Sequence, residues 1–189
     1  MRIGVLALQG AFEEHIMCLK KLSVDAFEIR SLEDLKERPD GIIFPGGEST
    51  VIGKLICELG MKTRLLELIK EENVPAFGTC AGMILLAKSI YGEKENHLGL
   101  MDVTVLRNAY GRQLGSFNAI GDFDGRQVKM TFIRAPYIKE TEDESVKIMS
   151  EYDGKIVAVR QNNILATAFH PELTEDLYIH EYFINMCRK

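Results

Sequence analysis

Gly78-Thr79-Cys80-Ala81-Gly82 sets a thiol between two glycines, where a short strand-like stretch (75–79) gives way to a helical pattern over 81–90. This is the G-x-nucleophile-x-G spacing of a nucleophile elbow, with cysteine in place of serine. A strand-to-helix turn this tight leaves no room for side chains at 78 and 82, and it pushes the central side chain out over the sheet edge. Free amides at the start of the helix favour a thiolate and can hold a tetrahedral oxyanion. Ala81 N–H is the natural first donor. The pentapeptide also fits a plainer reading, a small buried cysteine between glycines that only turn the chain. Cys18, Cys57 and Cys187 fall in helical apolar patterns and read as packing residues.

A thiolate nucleophile needs an imidazole to manage its proton and an acid to orient that imidazole. The stretch 164–169 runs as a strand into His170-Pro171-Glu172. In extended chain, residues i and i+2 share a side, so His170 and Glu172 can face one way, with Pro171 stiffening the segment. Taken alone, His170 would read as a turn residue and Glu172 as an exposed charge. His15 and His180 read as helix-surface groups, and His97 has no chemical context. Pro45-Gly46-Gly47-Glu48-Ser49-Thr50 is a second glycine turn between a strand and a helix. It lacks the lysine of a phosphate loop. Gly47 N–H is a candidate second oxyanion donor, against the alternative of a plain capped turn.

These groups can meet only if the elements between them carry them to one edge. Residues 3–8 and 41–44 are continuous apolar runs, the pattern of strands buried on both faces of a parallel sheet. A strand at 24–29 and helices at 11–22, 50–59 and 61–72 alternate with them. That alternation predicts an α/β fold: three layers, with a mostly parallel central sheet flanked by helices. The second half has strand-like segments at 101–106, 116–121, 127–133, 146–150 and 155–160, with turns at Asp124-Gly125, Asp153-Gly154 and Asn162-Asn163. They predict antiparallel additions to the sheet. A closing helix is expected over 175–187, with Thr174 as its N-cap. In such sheets, sites assemble at the carboxyl ends of strands.

The 189 residues suit a single domain over 1–189, and 46% apolar with 27% charged residues is ordinary for a globular protein. With 23 basic against 28 acidic residues the net charge is −5, which argues against a nucleic-acid partner. No run approaches the ~20 apolar residues of a membrane span, and the N-terminus lacks the pattern of a signal peptide. The expected location is therefore cytoplasmic. Neither the four cysteines nor the four histidines show metal-site spacing, so no metal is expected.

Six stretches carry a family resemblance: GVLALQGAFEEH (4–15), PGGEST (45–50), FGTCAGMILLAK (77–88), LGLMDVTVLRNAYGRQLGSF (98–117), FIRAP (132–136) and FHPELTED (169–176). In order and together, they resemble the glutaminase subunit of pyridoxal 5′-phosphate synthase, in the triad (class I) glutamine amidotransferase superfamily with its flavodoxin-like fold. The resemblance implies that Cys80 is the nucleophile and that His170 and Glu172 complete its triad. It implies that Gly47, Glu48, Ser49, Arg107, Ile133 and Arg134 line the L-glutamine pocket. It implies that Gln9-Gly10 and the Gly46-Gly47 turn rearrange when the synthase subunit docks, and that no cofactor is needed. Many other glutaminase domains carry Gln four residues after the cysteine. Ile84 stands there in this chain, which favours the pyridoxal phosphate branch. Two alternatives remain: a glutaminase for another synthase or a γ-glutamyl hydrolase on the same fold, and a non-catalytic glutamine-binding regulatory module.

Overall fold

The computed structural model describes residues 1–107 and 115–188. Positions 108–114, inside the stretch 98–117, and Lys189 lie outside the described residues. The elements run β1 (Arg2–Leu6), α1 (Phe12–Lys21), β2 (Asp25–Ile29), β3 (Gly41–Phe44), α2 (Ser49–Glu58), α3 (Lys62–Leu66), β4 (Ala76–Thr79), α4 (Ala81–Leu86) and β5 (Ala87–Ile90). Then follow β6 (Met101–Leu106), β7 (Ser116–Phe123), β8 (Arg126–Ile133), β9 (Tyr137–Thr141), β10 (Lys147–Tyr152), β11 (Lys155–Gln161), β12 (Ile164–Thr167) and α5 (Tyr178–Cys187).

Among the described residues, ten strands form one sheet in the order β2-β1-β3-β4-β12-β11-β9-β6-β5, with β10 paired to β11. The five strands from β2 to β12 are mutually parallel. From β12 onward the chain adds antiparallel neighbours, as the turn-rich second half predicts. β3, β4 and β12 are buried at every position, because helices cover both faces of that part of the sheet. On one face, Phe77 of β4 packs against His15 of α1 and against His180 and Phe183 of α5. On the other face α4 lies against β4, and α2 packs on α4. β7 and β8 form a separate two-stranded hairpin.

Several boundaries differ from expectation. The helix predicted over 81–90 ends at Leu86, and Ala87–Ile90 turns into strand β5 paired with β6. Tertiary strand pairing outweighs the helical pattern over these four residues. The helix predicted over 61–72 is α-helical only to Leu66, and Glu67–Glu71 widens into a π turn. Asn163 Nδ2 donates to the Ile69 and Val74 carbonyls, each at 3.0 Å, which holds the widened end in place. The last helix starts at Tyr178, and Thr174 is not its cap. The Thr174 hydroxyl instead donates to Pro171 O and accepts from Asp176 N, and Asp176 Oδ1 accepts from Tyr178 N. Strand β9 carries no clear alternation and was not expected.

Candidate active site

The register of the parallel strands decides which loops meet. Phe44 pairs with Gly78, and Thr167 pairs with Thr79, so β3, β4 and β12 end at one level. The Gly46 turn, Cys80 and His170 therefore leave from three adjacent strands. Gln9-Gly10 leaves from β1, the next strand over. The strand order reverses direction between β1 and β3, and the crevice beside such a reversal is where open α/β sheets bind ligands.

Cys80 sits at φ 49°, ψ −100°, a left-handed conformation that costs a non-glycine residue about 1–3 kcal/mol. The backbone over-determines it. Cys80 N donates to Thr167 O at 2.8 Å, tying the elbow to β12. A Cβ on Gly78 would stand 2.6 Å from Gly82 C and O, and one on Gly82 would strike the Phe44 carbonyl. Both glycines are required by close approach, as the elbow pattern predicts.

His170 N donates to Thr131 O of β8 at 2.8 Å, which fixes the loop after β12. His170 Nδ1 lies 2.6 Å from Glu172 Oε1. Pro171 to Leu173 form a short 3₁₀ turn, so His170 and Glu172 converge through that turn rather than by strand alternation. Cys80, His170 and Glu172 are all buried, at 8%, 6% and 5% exposure. Burial disfavours the His170 imidazolium. The side-chain hydrogen bonds with Cys80 and Glu172 outweigh that penalty, and the pKa is pushed up to about 10. The thiol also lies 3.9 Å from the Ile133 carbonyl.

A cavity of about 380 Å³ opens over the thiol. Its lining includes Gln9, Gly10, Gly47, Glu48, Ser49, Cys80, Ala81, Arg107, Ile133, Arg134 and His170. Every residue expected at the site is on that wall except Glu172, which stands behind His170. The Glu48 carboxylate caps α2, accepting from Thr50 N and Val51 N, and Arg107 Nη2 donates to it at 3.1 Å. Burial pulls the Glu48 carboxyl upward, but those amides and the Arg107 guanidinium hold it below its ordinary value. Arg107 Nη1 also donates to Glu93 and to Thr50 Oγ1. Gln9 Oε1 accepts from Glu48 N at 2.7 Å, and Ala11 N donates to Gly46 O at 3.0 Å, so the two glycine loops are tied together. Ser49 Oγ is buried without a partner among the described residues. A separate cavity of about 510 Å³ lies along the β7–β8 hairpin, and none of its lining residues carries a thiol or an imidazole.

Sequence reasoning missed part of the site. Gly46 is needed because a Cβ there would be driven into the His170 ring. His15 and His180, expected on helix surfaces, are fully buried. His15 Nδ1 is 2.9 Å from His180 Nε2, and His15 Nε2 is 3.1 Å from Thr79 Oγ1. The signal was present: His15 lies on the apolar stripe with Phe12, Ile16 and Leu19, and His180 on the stripe with Phe183, Ile184 and Cys187. Cys57 is exposed, not a packing residue, whereas Cys18 is buried.

Fold and site together define a class, an α/β protein with a cysteine elbow at the carboxyl edge of a parallel sheet. The chain belongs to the SNO glutamine amidotransferase family, whose model matches residues 5–189. A relative from Methanocorpusculum labreanum, named pyridoxal 5′-phosphate synthase subunit PdxT, is 57% identical over 98% of this chain and 97% of its own length. A protein of the same name from Streptococcus pneumoniae (strain CGSP14) is 50% identical over 100% and 98%. A solved structure described as a glutamine amidotransferase superposes with a TM-score of 0.93 at 43% identity, covering 98% of both chains. Among the described residues, no helix is long and apolar enough to cross a membrane.

Proposed function

We propose that the chain hydrolyses L-glutamine to glutamate and ammonia, as the glutaminase subunit of pyridoxal 5′-phosphate synthase, and passes the ammonia to the synthase subunit. One observation carries the chemistry: a cysteine held at positive φ and an imidazole on one cavity wall, the imidazole oriented from behind by a buried carboxylate. The full-length likeness to proteins named as that synthase's subunit supports the pathway assignment.

In this reading the Cys80 thiolate attacks the side-chain amide carbon of glutamine. His170 as imidazolium protonates the departing ammonia, and Glu172 holds its tautomer and position. Ala81 N–H and Gly47 N–H bind the oxyanion. His170 then activates a water that cleaves the γ-glutamyl thioester, releasing glutamate. Arg107 and Glu48 are charged groups suited to the α-carboxylate and α-ammonium of the substrate, with Ser49, Ile133 and Arg134 shaping the rest of the wall. The ties between the Gln9-Gly10 loop and the Gly46-Gly47 turn hold the second oxyanion donor in its resting position. Docking of the synthase at that loop resets it. Four free cysteines, the nucleophilic Cys80 among them, also suit a reducing compartment, and the reading places the chain in the cytoplasm.

The test is ammonia release from glutamine by wild type and Cys80→Ala, each with and without the synthase subunit. We expect the synthase to raise kcat rather than only lower KM. Cys80→Ala should lose at least ~10³-fold in the complex. Undiminished turnover by Cys80→Ala would remove Cys80 from the mechanism.

A further inference from the structure

Glu172 has two carboxylate oxygens, and the chemistry above uses one. Oε1 accepts from His170 Nδ1–H at 2.6 Å. Oε2 is buried and has no hydrogen-bond partner at ordinary distance among the described residues. The nitrogen facing it is His15 Nε2, at 3.5 Å. Burial first, then the neighbouring His180 and His170, hold the His15 pKa well below the ordinary histidine value, so its ring is neutral and carries one N–H.

The position of that proton follows from its neighbours. With the proton on Nε2, His15 points a donor at Thr79 Oγ1 and Glu172 Oε2. Its Nδ1 then accepts from His180 Nε2–H. The remaining His180 nitrogen, Nδ1, is a bare lone pair, and that buried atom has no partner. The opposite tautomer reverses the pair. It strands an N–H at His180 Nδ1 with nothing to accept it, and it turns a His15 lone pair toward a carboxylate. Two penalties against one select the first arrangement.

We propose that His15 is a positioning residue for Glu172: its Nε2–H, set in that tautomer by His180, steadies the carboxylate oxygen that His170 leaves free. This rests on the glutaminase reading, since Glu172 matters there as the orienter of His170. His15 projects from α1, the helix that follows the Gln9-Gly10 loop, and His180 from α5. Two helices packed on one sheet face thus clamp the acid at the far end of the Cys80–His170–Glu172 line. The ionisable groups facing the cluster are Cys18 from α1, Cys80 from the elbow, His170 and Glu172 from the loop after β12, and His180 from α5.

The test combines ¹⁵N-histidine NMR with kinetics in the presence of the synthase. In wild type, His15 and His180 should both appear as Nε2–H tautomers. An Nδ1–H tautomer at His15 overturns the proposal without any variant. His15→Gln keeps a donor near the Nε2 position, and His15→Asn does not. We expect the His170 titration to stay near its wild-type value in His15→Gln and to fall by about one unit or more in His15→Asn. In the same pair, kcat should be recovered by Gln and reduced ~10-fold by Asn, with KM held. Equal His170 titrations in the two variants would mean that His15 only fills space. Wild type that fails to hydrolyse glutamine with the synthase would sink the functional reading instead. The tautomer and titration readouts do not depend on that activity.

Discussion

Cys80 and His170 approach each other because two glycines give way, one on each side. Gly82 lets α4 begin against the Phe44 carbonyl, and Gly46 leaves space for the imidazole. The consequences of filling those spaces differ. A methyl on Gly82 meets backbone, so that variant should fail to fold. A methyl on Gly46 meets a side chain that can move, so Gly46→Ala should fold and displace the ring. Misplacing a catalytic group by about 1 Å costs on the order of 10²-fold in rate. We therefore expect Gly46→Ala to lose roughly that factor in glutamine turnover with the synthase, while its thermal midpoint stays close to wild type. Unchanged turnover would show that the ring has slack. At this level the elbow glycines were readable from spacing, since only a tight turn needs them at both flanks. Gly46 was not, because its constraint comes from a residue more than a hundred positions away.

Element boundaries followed local pattern only where no distant partner intervened. β3 and β4 appear where apolar runs place them, and Asp153-Gly154 turns β10 into β11 with both residues at positive φ. Leu86 marks a failure: nothing in its neighbourhood announces that the next four residues pair with β6. The π turn at Glu67–Glu71 is similar, since its anchor, Asn163, lies in the turn between β11 and β12. Removing that anchor should cost stability alone. Asn163→Ala strips the donors from two carbonyls, and the loss is about 1–3 kcal/mol. A lower urea midpoint with unaltered kcat and KM is the expected result. A variant as stable as wild type would mean that water replaces the amide.

Buried histidines shape how the folded molecule responds to pH, and they act in opposite directions. His170 has its folded pKa raised from 6.5 to about 10. Its contribution is complete below about pH 6.5 and is lost as pH rises through about 10. His180 has its folded pKa lowered by burial to about 4, and His15 moves the same way. The His180 contribution is present above about pH 6.5 and is lost as pH falls toward 4, because only the unfolded chain takes up the proton, and His15 acts in the same direction. Stability should therefore decline on both sides of about pH 6.5, as measured by urea midpoints across pH 4 to 10. His170→Gln should flatten the alkaline limb and leave the acid limb in place. An alkaline limb that persists in that variant would assign it to other groups.

What the amino-acid order determined unaided was the set of parts: a cysteine elbow, a His-Pro-Glu segment, a Gly-Gly turn, and alternating apolar runs that require a parallel sheet under helices. These depend on nearest neighbours and short periodicities, which a linear chain displays. Which parts touch was decided by the register of β3, β4 and β12, which brings residues near 46, 80 and 170 to one edge. The same packing turned His15 and His180 inward, so that His15 faces Glu172 and His180 backs His15. Burial and pairing are properties of surfaces brought together from distant segments, so they exist only once the chain has closed on itself.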